Sequence, residues 1–169
     1  SQIYLVVEAG ASAADRLSAI LQATEVASIL IRPPGEHTLE AQVAKPLVDL
    51  AQARGVAALI ENDAALARVL RADGVHLAWS DDIAARYEEA REILGTRFIV
   101  GAQAGKSRHD AMLLGEAGAD YIAFGAPAAL KDQDNAKKRR DELVGWWSEI
   151  FEIPCVAMDI DSPEAAVAL

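Results

Sequence analysis

The sequence predicts an α/β fold built from repeated β/α units around a parallel sheet, and three observations carry that reading. Residues 72–77, Ala-Asp-Gly-Val-His-Leu, and residues 119–124, Ala-Asp-Tyr-Ile-Ala-Phe, repeat one unit. In each, a small residue and an aspartate close a helix–strand turn, and an apolar run too short for a helix follows. Seven such apolar runs alternate with helical stretches along the chain, and strands buried on both faces, as in parallel sheets, read as continuous apolar runs. No shift in composition marks a second domain, so residues 1–169 are read as one. Eight units close a (β/α)8 TIM barrel. Seven are present here, so the expectation is a barrel whose last β/α unit is missing from this chain; an open doubly wound sheet is the rival arrangement.

Residues 3–7 open the chain as the first strand. Ser12 and Asp15 resemble a capping box, and a helix runs from there to about Thr24. Residues 28–32 form the second strand, stopped by Pro33-Pro34-Gly35. The second helix spans about Thr38 to Arg54, with Pro46 expected to kink it and Gly55 to end it. Residues 57–61 are the third strand, a short helix follows, and residues 74–78 are the fourth strand. Asp81-Asp82 caps the fourth helix, which Gly95 terminates, with Glu88 and Glu89 on its outer face. Residues 98–102 are the fifth strand, Ser107 to Ala117 the fifth helix with Gly118 at its end, and residues 121–125 the sixth strand. A polar loop over residues 131–135 precedes a helix at about 136–151, where one of Trp146 and Trp147 belongs to the core. Residues 154–158 are the seventh strand, and Ser162-Pro163-Glu164 starts another helix, with Ser as N-cap and Pro at the first helical position. Because that helix has a start signal and no stop, the native chain is expected to continue past Leu169 by about 25–40 residues.

The formal net charge is −10. An acidic surface repels phosphate backbones, so nucleic acid is not an expected partner. The basic run 137–140, flanked by Asp132, Asp134, Asp141 and Glu142, reads as a solvated helix face. Cys155 is the only cysteine. It lies in an apolar run, reads as core, and excludes a disulfide framework. No apolar stretch reaches the roughly 18–20 residues that span a bilayer, and no leader pattern opens the chain, so the expectation is a cytoplasmic protein with no membrane partner.

In β/α folds the chemistry sits at the carboxyl ends of the strands. The residues there are Glu8; Arg32; Glu61, Asn62 and Asp63; His76, Trp79 and Asp81; Gln103 and Lys106; Gly125 and Lys131; and Asp159 and Asp161. Carboxylates converging on one mouth suit a hard cation such as Mg²⁺, which takes oxygen ligands and bridges to substrate phosphate. Arg32 suits bidentate capture of a phosphate. Asp63 and Asp81 also fit plain helix caps, and His76, between apolar neighbours, also fits a core histidine.

Ile60-Glu-Asn-Asp63, then Ala72-Asp-Gly-Val-His-Leu77, then Asp81, resembles the thiamine-phosphate synthase and thiazole tautomerase family. Similar to it as well are Ile99-Val-Gly101, Gly118-Ala-Asp-Tyr-Ile-Ala-Phe-Gly125 and Ile153-Pro-Cys-Val-Ala157. The resemblance covers the chain from the first strand to the last helix start. It implies a (β/α)8 barrel, a homodimer, and a transferase that joins a pyrimidine pyrophosphate to a thiazole phosphate. It also implies Mg²⁺ on the pyrophosphate with Asp63 and Asp81 as ligands, and pyrophosphate contacts from Arg32 and Asn62. With Lys106 added from the strand-end reading, the candidate catalytic residues are Arg32, Asn62 and Lys106. The candidate substrate-binding residues are Arg32, Asn62, His76, Gln103, Lys131 and Asp159, and the substrate is a phosphorylated small molecule.

Several positions depart from the family pattern. Its Gln-x-Arg-x-Lys reads Leu30-Ile-Arg32-Pro-Pro34, the basic residue after Asn-Asp is Ala64, and a serine on the fifth strand is Gln103. The Thr- and Lys-rich loop after the sixth strand reads Ala126-Pro-Ala-Ala-Leu-Lys131, and the glycine pair that cradles the thiazole phosphate reads Asp159-Ile160. An aspartate about 4 Å from a phosphate costs on the order of 4 kcal/mol per charge pair at an effective dielectric of 20. The expected synthase activity is therefore weak or altered. The alternatives are a diverged barrel that binds a small molecule or partner, and an isomerase using Glu8, His76 or Lys106 as acid and base.

Overall fold

The computed structural model describes residues 1–161. Seven strands are hydrogen-bonded in chain order: β1 (Tyr4–Glu8), β2 (Ser28–Arg32), β3 (Ala57–Glu61), β4 (Gly74–Leu77), β5 (Ile99–Gln103), β6 (Tyr121–Phe124) and β7 (Cys155–Ala157). Six helices separate them: α1 (Ala13–Ala23), α2 (Ala41–Ala53), α3 (Ala64–Leu70), α4 (Ile83–Leu94), α5 (Arg108–Ala117) and α6 (Gln133–Ile150). The α/β alternation with parallel strands is as the sequence predicts. The helix start expected at Ser162 lies outside the described residues. The molecule forms two compact units, Ser1–His76 with Ala90–Ile99, and Leu77–Glu89 with Val100 onward.

In the first unit β1 pairs with β2, β2 with β3 and β3 with β4, all parallel. Ile29, Leu30 and Ile31 on β2 and Ala58, Leu59 and Ile60 on β3 are fully or almost fully buried, which is why these strands read as unbroken apolar runs. Asp73 fixes the register between β3 and β4. Its carboxylate accepts from Ala58 N–H at 2.8 Å, and its own N–H donates to Ala58 C=O at 2.8 Å. Gly74 follows because a Cβ there would overlap the carbonyl of Ile99.

The second unit repeats the device. Asp120 accepts from Val100 N–H at 2.8 Å and donates its N–H to Val100 C=O at 3.0 Å. Here β5 pairs with β6 and β6 with β7, again parallel. Trp147 is fully buried, with Phe151 stacked on it at 4.0 Å and Phe124 edge-on at 6.3 Å. Trp146 is half-buried, as the sequence predicts for one of the pair.

Four local expectations are corrected. Ser12 precedes α1 but makes no side-chain cap hydrogen bond, so the capping box is absent. Helix α2 starts at Ala41, three residues after Thr38, and runs on through Pro46 to Ala53; buried Ala44, Leu47, Val48 and Ala51 hold it to the sheet. Residues 133–135 belong to α6, because Asp132 caps that helix by accepting from Asn135 N–H at 3.0 Å. The basic run is not wholly solvated. Arg140 is only 4 % exposed. Its Nη1 donates to the carbonyls of Met158 (3.2 Å) and Asp159 (2.8 Å), and its Nε to Asp141 at 2.8 Å. Cys155 is half-buried, and burial pushes its thiol pKa up, away from a reactive thiolate. Among the described residues no helix is long and apolar enough to cross a membrane.

Candidate functional site

Each unit gathers polar side chains at the carboxyl ends of its strands. In the first, β2 ends in Arg32 and β3 in Glu61. The register that pairs Ile31 with Ile60 sets them side by side. Arg32 Nε donates to Glu61 Oε1 at 3.0 Å, with Arg32 35 % and Glu61 13 % exposed. The guanidinium is thereby aimed by a neighbouring carboxylate, and its two Nη groups make no hydrogen bond among the described residues. Asn62 follows at φ 60, a left-handed conformation that asparagine tolerates better than most residues. Its N–H donates to His76 C=O at 2.8 Å, continuing the β3–β4 ladder one residue beyond β3.

Asp63 caps α3: Oδ1 accepts from Leu66 N–H at 2.9 Å. The capping role weighed from the sequence is therefore real. The other oxygen makes no hydrogen bond among the described residues, so one carboxylate oxygen stays available to a cation. His76 is fully buried. Its pKa is held down to about 3, by burial first and by the Arg32 charge second. The ring is neutral throughout the physiological range and serves no acid–base role there. Glu8 is exposed at the end of β1, in register with Arg32.

In the second unit Trp79 is exposed and its indole N–H donates to Asp110 at 3.3 Å. The indole lies over Gly105, where a Cβ would be 2.5 Å from Nε1. Lys106 is exposed, and its backbone carbonyl accepts from Arg139 Nε and Nη2, each at 3.2 Å. The turn before α4 is closed by Ser80, whose hydroxyl donates to Asp82 at 2.7 Å and whose carbonyl accepts from Ile83 N–H at 3.1 Å. Asp81 stands exposed in that turn with no hydrogen bond among the described residues. Lys131 is exposed before α6, and Asp161 pairs with Lys137 at 2.6 Å, which lowers the Asp161 pKa.

Gln103 and Asp159 meet over Gly125. A Cβ on Gly125 would lie 2.5 Å from Asp159 Oδ2 and 2.6 Å from Gln103 Nε2, so a larger residue there would displace both side-chain ends. Asp159 Oδ2 accepts from Ala126 N–H at 2.9 Å, and Asp159 itself sits at φ 58. Sequence reading missed Arg140, which fixes this turn through the Met158 and Asp159 carbonyls. Its position inside a basic run concealed it. It also missed Glu61 as the partner of Arg32, since the pairing depends on register. No group of three or more His, Cys, Asp or Glu residues among the described residues is arranged to hold a metal ion.

Parallel strands with cationic, amide and carboxylate groups at their carboxyl ends define a β/α protein, a class of fold in which ligands ordinarily sit at the strand ends. More narrowly, the chain belongs to the thiamine monophosphate synthase family, whose model matches residues 3–165. It is 40 % identical to the thiamine-phosphate synthase of Erythrobacter litoralis, over 97 % of this chain and 79 % of that protein. Identity to the thiamine-phosphate synthase of Rhodospirillum centenum is 39 %, over 92 % of this chain and 74 % of the relative. Among solved structures, the thiamine phosphate pyrophosphorylase of Pyrococcus furiosus superposes with a TM-score of 0.68 at 22 % identity, covering 94 % of this chain and 75 % of its own. That likeness concerns the fold alone.

Proposed function

We propose that this chain is a thiamine-phosphate synthase-type transferase: the ring nitrogen of a thiazole displaces pyrophosphate from a pyrimidine methylene carbon. The observation that carries this reading is 40 % identity across 97 % of the chain to a protein of that name, together with Arg32, Asn62 and Asp63 at the ends of β2 and β3. One C–N bond forms and one C–O bond breaks, and the pyrophosphate leaves with the bonding pair. Catalysis of such a step is stabilisation of the departing charge.

Arg32, aimed by Glu61, presents its two Nη groups to the pyrophosphate as a bidentate donor. Asn62 offers its side-chain amide from the same strand end. His76 is buried and neutral, close enough to Arg32 to feel its charge. Asp63, through the oxygen that does not cap α3, and Asp81, through its exposed carboxylate, are each read as an oxygen donor that would serve Mg²⁺. Such an ion supplies neutralisation of the pyrophosphate charge. We read the fold as that of a (β/α)8 barrel, which the chain-order parallel strands support.

The test is a direct assay of the purified protein with the pyrimidine pyrophosphate, a thiazole acceptor and Mg²⁺, reading pyrophosphate release. Release that depends on both substrates supports the reading. Absence of release with every thiazole acceptor overturns it in favour of a non-catalytic binding role.

A further inference from the structure

We propose that Trp79 is the positioning residue for Asp81: by docking on the loop between β5 and α5 it holds the turn after β4 so that the Asp81 carboxylate is presented to a cation. The inference rests on the reading of Asp81 as an oxygen donor to Mg²⁺ and deepens it. Every residue it uses lies in the second unit.

Asp81 does nothing to place itself. It is exposed and makes no hydrogen bond among the described residues. A ligand carried on an unanchored turn loses freedom each time it binds a cation, and groups that orient a metal ligand therefore tune its affinity.

Two neighbours fix the turn, in different ways. The Ser80 hydroxyl donates to Asp82 at 2.7 Å and accepts from Arg86 Nη1 at 3.3 Å, and the Ser80 carbonyl accepts from Ile83 N–H at 3.1 Å. These contacts are local. They shape the turn and the start of α4, and tie it to no other element. Trp79 supplies the outside tie. Its indole N–H donates to Asp110, in the first turn of α5, at 3.3 Å. Its five-membered ring lies against Gly105, where a Cβ would be 2.5 Å from Nε1, 2.9 Å from Cε2 and 3.0 Å from Cδ1.

Both seats of the indole are themselves held. Asp110 N–H donates to the Ser107 hydroxyl at 3.2 Å, and the Lys106 carbonyl, next to Gly105, accepts from Arg139 Nε and Nη2 at 3.2 Å. At 47 % exposure much of the hydrophobic gain of an indole is forgone, so what this contact secures is direction.

The test titrates wild type, Trp79→Phe, Gly105→Ala, Asp110→Asn and Asp81→Asn with preformed magnesium pyrophosphate by calorimetry, and follows amide hydrogen exchange at Ile83 and along α6. Trp79→Phe keeps a ring and loses the N–H; the methyl of Gly105→Ala displaces the indole. We expect both to bind the complex at least tenfold more weakly than wild type, as is usual for a group that orients a metal ligand. Ile83 N–H should exchange faster in both, with α6 unchanged. Asp110→Asn, which keeps an oxygen for the indole N–H, should stay nearer to wild type than either. Trp79→Phe covers the case in which Gly105→Ala fails to fold. Wild-type affinity in folded Trp79→Phe overturns the proposal. A wild type that does not bind the complex, or Asp81→Asn binding as wild type does, overturns the reading of Asp81 instead. The exchange arm then decides Trp79: faster Ile83 exchange in Trp79→Phe keeps it as the residue that positions this turn, and unchanged exchange overturns that role.

Discussion

Arg32 Nε stands 3.0 Å from Glu61 Oε1, one strand over, and this contact sets the aim of the only arginine at the ends of β1–β4. The pair is part-exposed and contributes at most about 1 kcal/mol to folding. Its importance is directional. Arg32→Gln should lower kcat/KM for the pyrimidine pyrophosphate by about 10²–10³, as expected for loss of one preorganised donor to developing charge. Glu61→Gln should keep the fold and lower the same parameter by roughly tenfold, since a neutral amide holds the guanidinium less firmly. Steady-state kinetics on both variants check the order of effects.

Asp63→Asn separates capping from metal binding. Asparagine caps helices as well as aspartate does, so thermal stability without metal should change by less than about 1 kcal/mol. Asp63→Ala, which loses the bond to Leu66 N–H, should cost about 1 kcal/mol. With pyrophosphate present, the double variant Asp63→Asn, Asp81→Asn should show none of the Mg²⁺-dependent rise in melting temperature expected of the wild type. A wild type indifferent to Mg²⁺ under these conditions removes the metal from the mechanism.

His76 makes stability depend on pH in a defined window. Its folded pKa, about 3, lies below the ordinary 6.5. Above pH 6.5 the imidazole is neutral in both states and its contribution to stability is complete. As pH falls the unfolded chain binds a proton that the folded state refuses. Stability is therefore lost at up to about 1.4 kcal/mol per pH unit between pH 6.5 and roughly 3. Denaturant titrations of the wild type and His76→Gln at pH 7, 6 and 5 should converge as pH falls, because the variant lacks this term. Parallel curves would mean that His76 is not buried neutral.

Arg140→Ala should destabilise the protein by about 2–3 kcal/mol, because it strips a buried donor from two carbonyls at once. Arg140→Lys should recover part of this. Urea unfolding midpoints measure both.

What the sequence disclosed, and what it did not, divides on one physical line. Strands β2 and β3 were legible to the residue because apolar runs bounded by polar or proline residues admit little else. Gly55, Gly95 and Gly118, each at positive φ, were legible as helix ends because only glycine enters that region cheaply. Arg32, Asn62 and Asp63 were legible as strand-end residues because they close or follow the apolar runs of β2 and β3. Long-range partners were not. Whether Arg32 meets Glu61 depends on register, and whether Arg140 faces water or the β7 turn depends on how α6 rolls against the sheet. A run of four basic residues carries no mark that its last member points inward. The start of α2 was misplaced because Thr38 reads as a helix cap and Leu39 and Glu40 as helix formers, whereas the helix is capped only at Glu40.

The carboxylates of Asp73 and Asp120 act far from any chemistry, yet they decide which chemistry is possible. Each latches the amino end of one strand to its neighbour with a double bridge, like a zip fastener seated before it is drawn. Parallel strands side by side have no turn to index them, and a slip of one residue turns every side chain to the other face. With the latch closed, Glu61 faces His76 across β3 and β4, and Gln103 faces Ala123 across β5 and β6. With it open, the same residues would point elsewhere and the strand ends would present an unrelated set of groups. A defect at Asp73 or Asp120 should thus look, in an assay, like a lesion in the active site, although the altered residue lies at the opposite end of its strand.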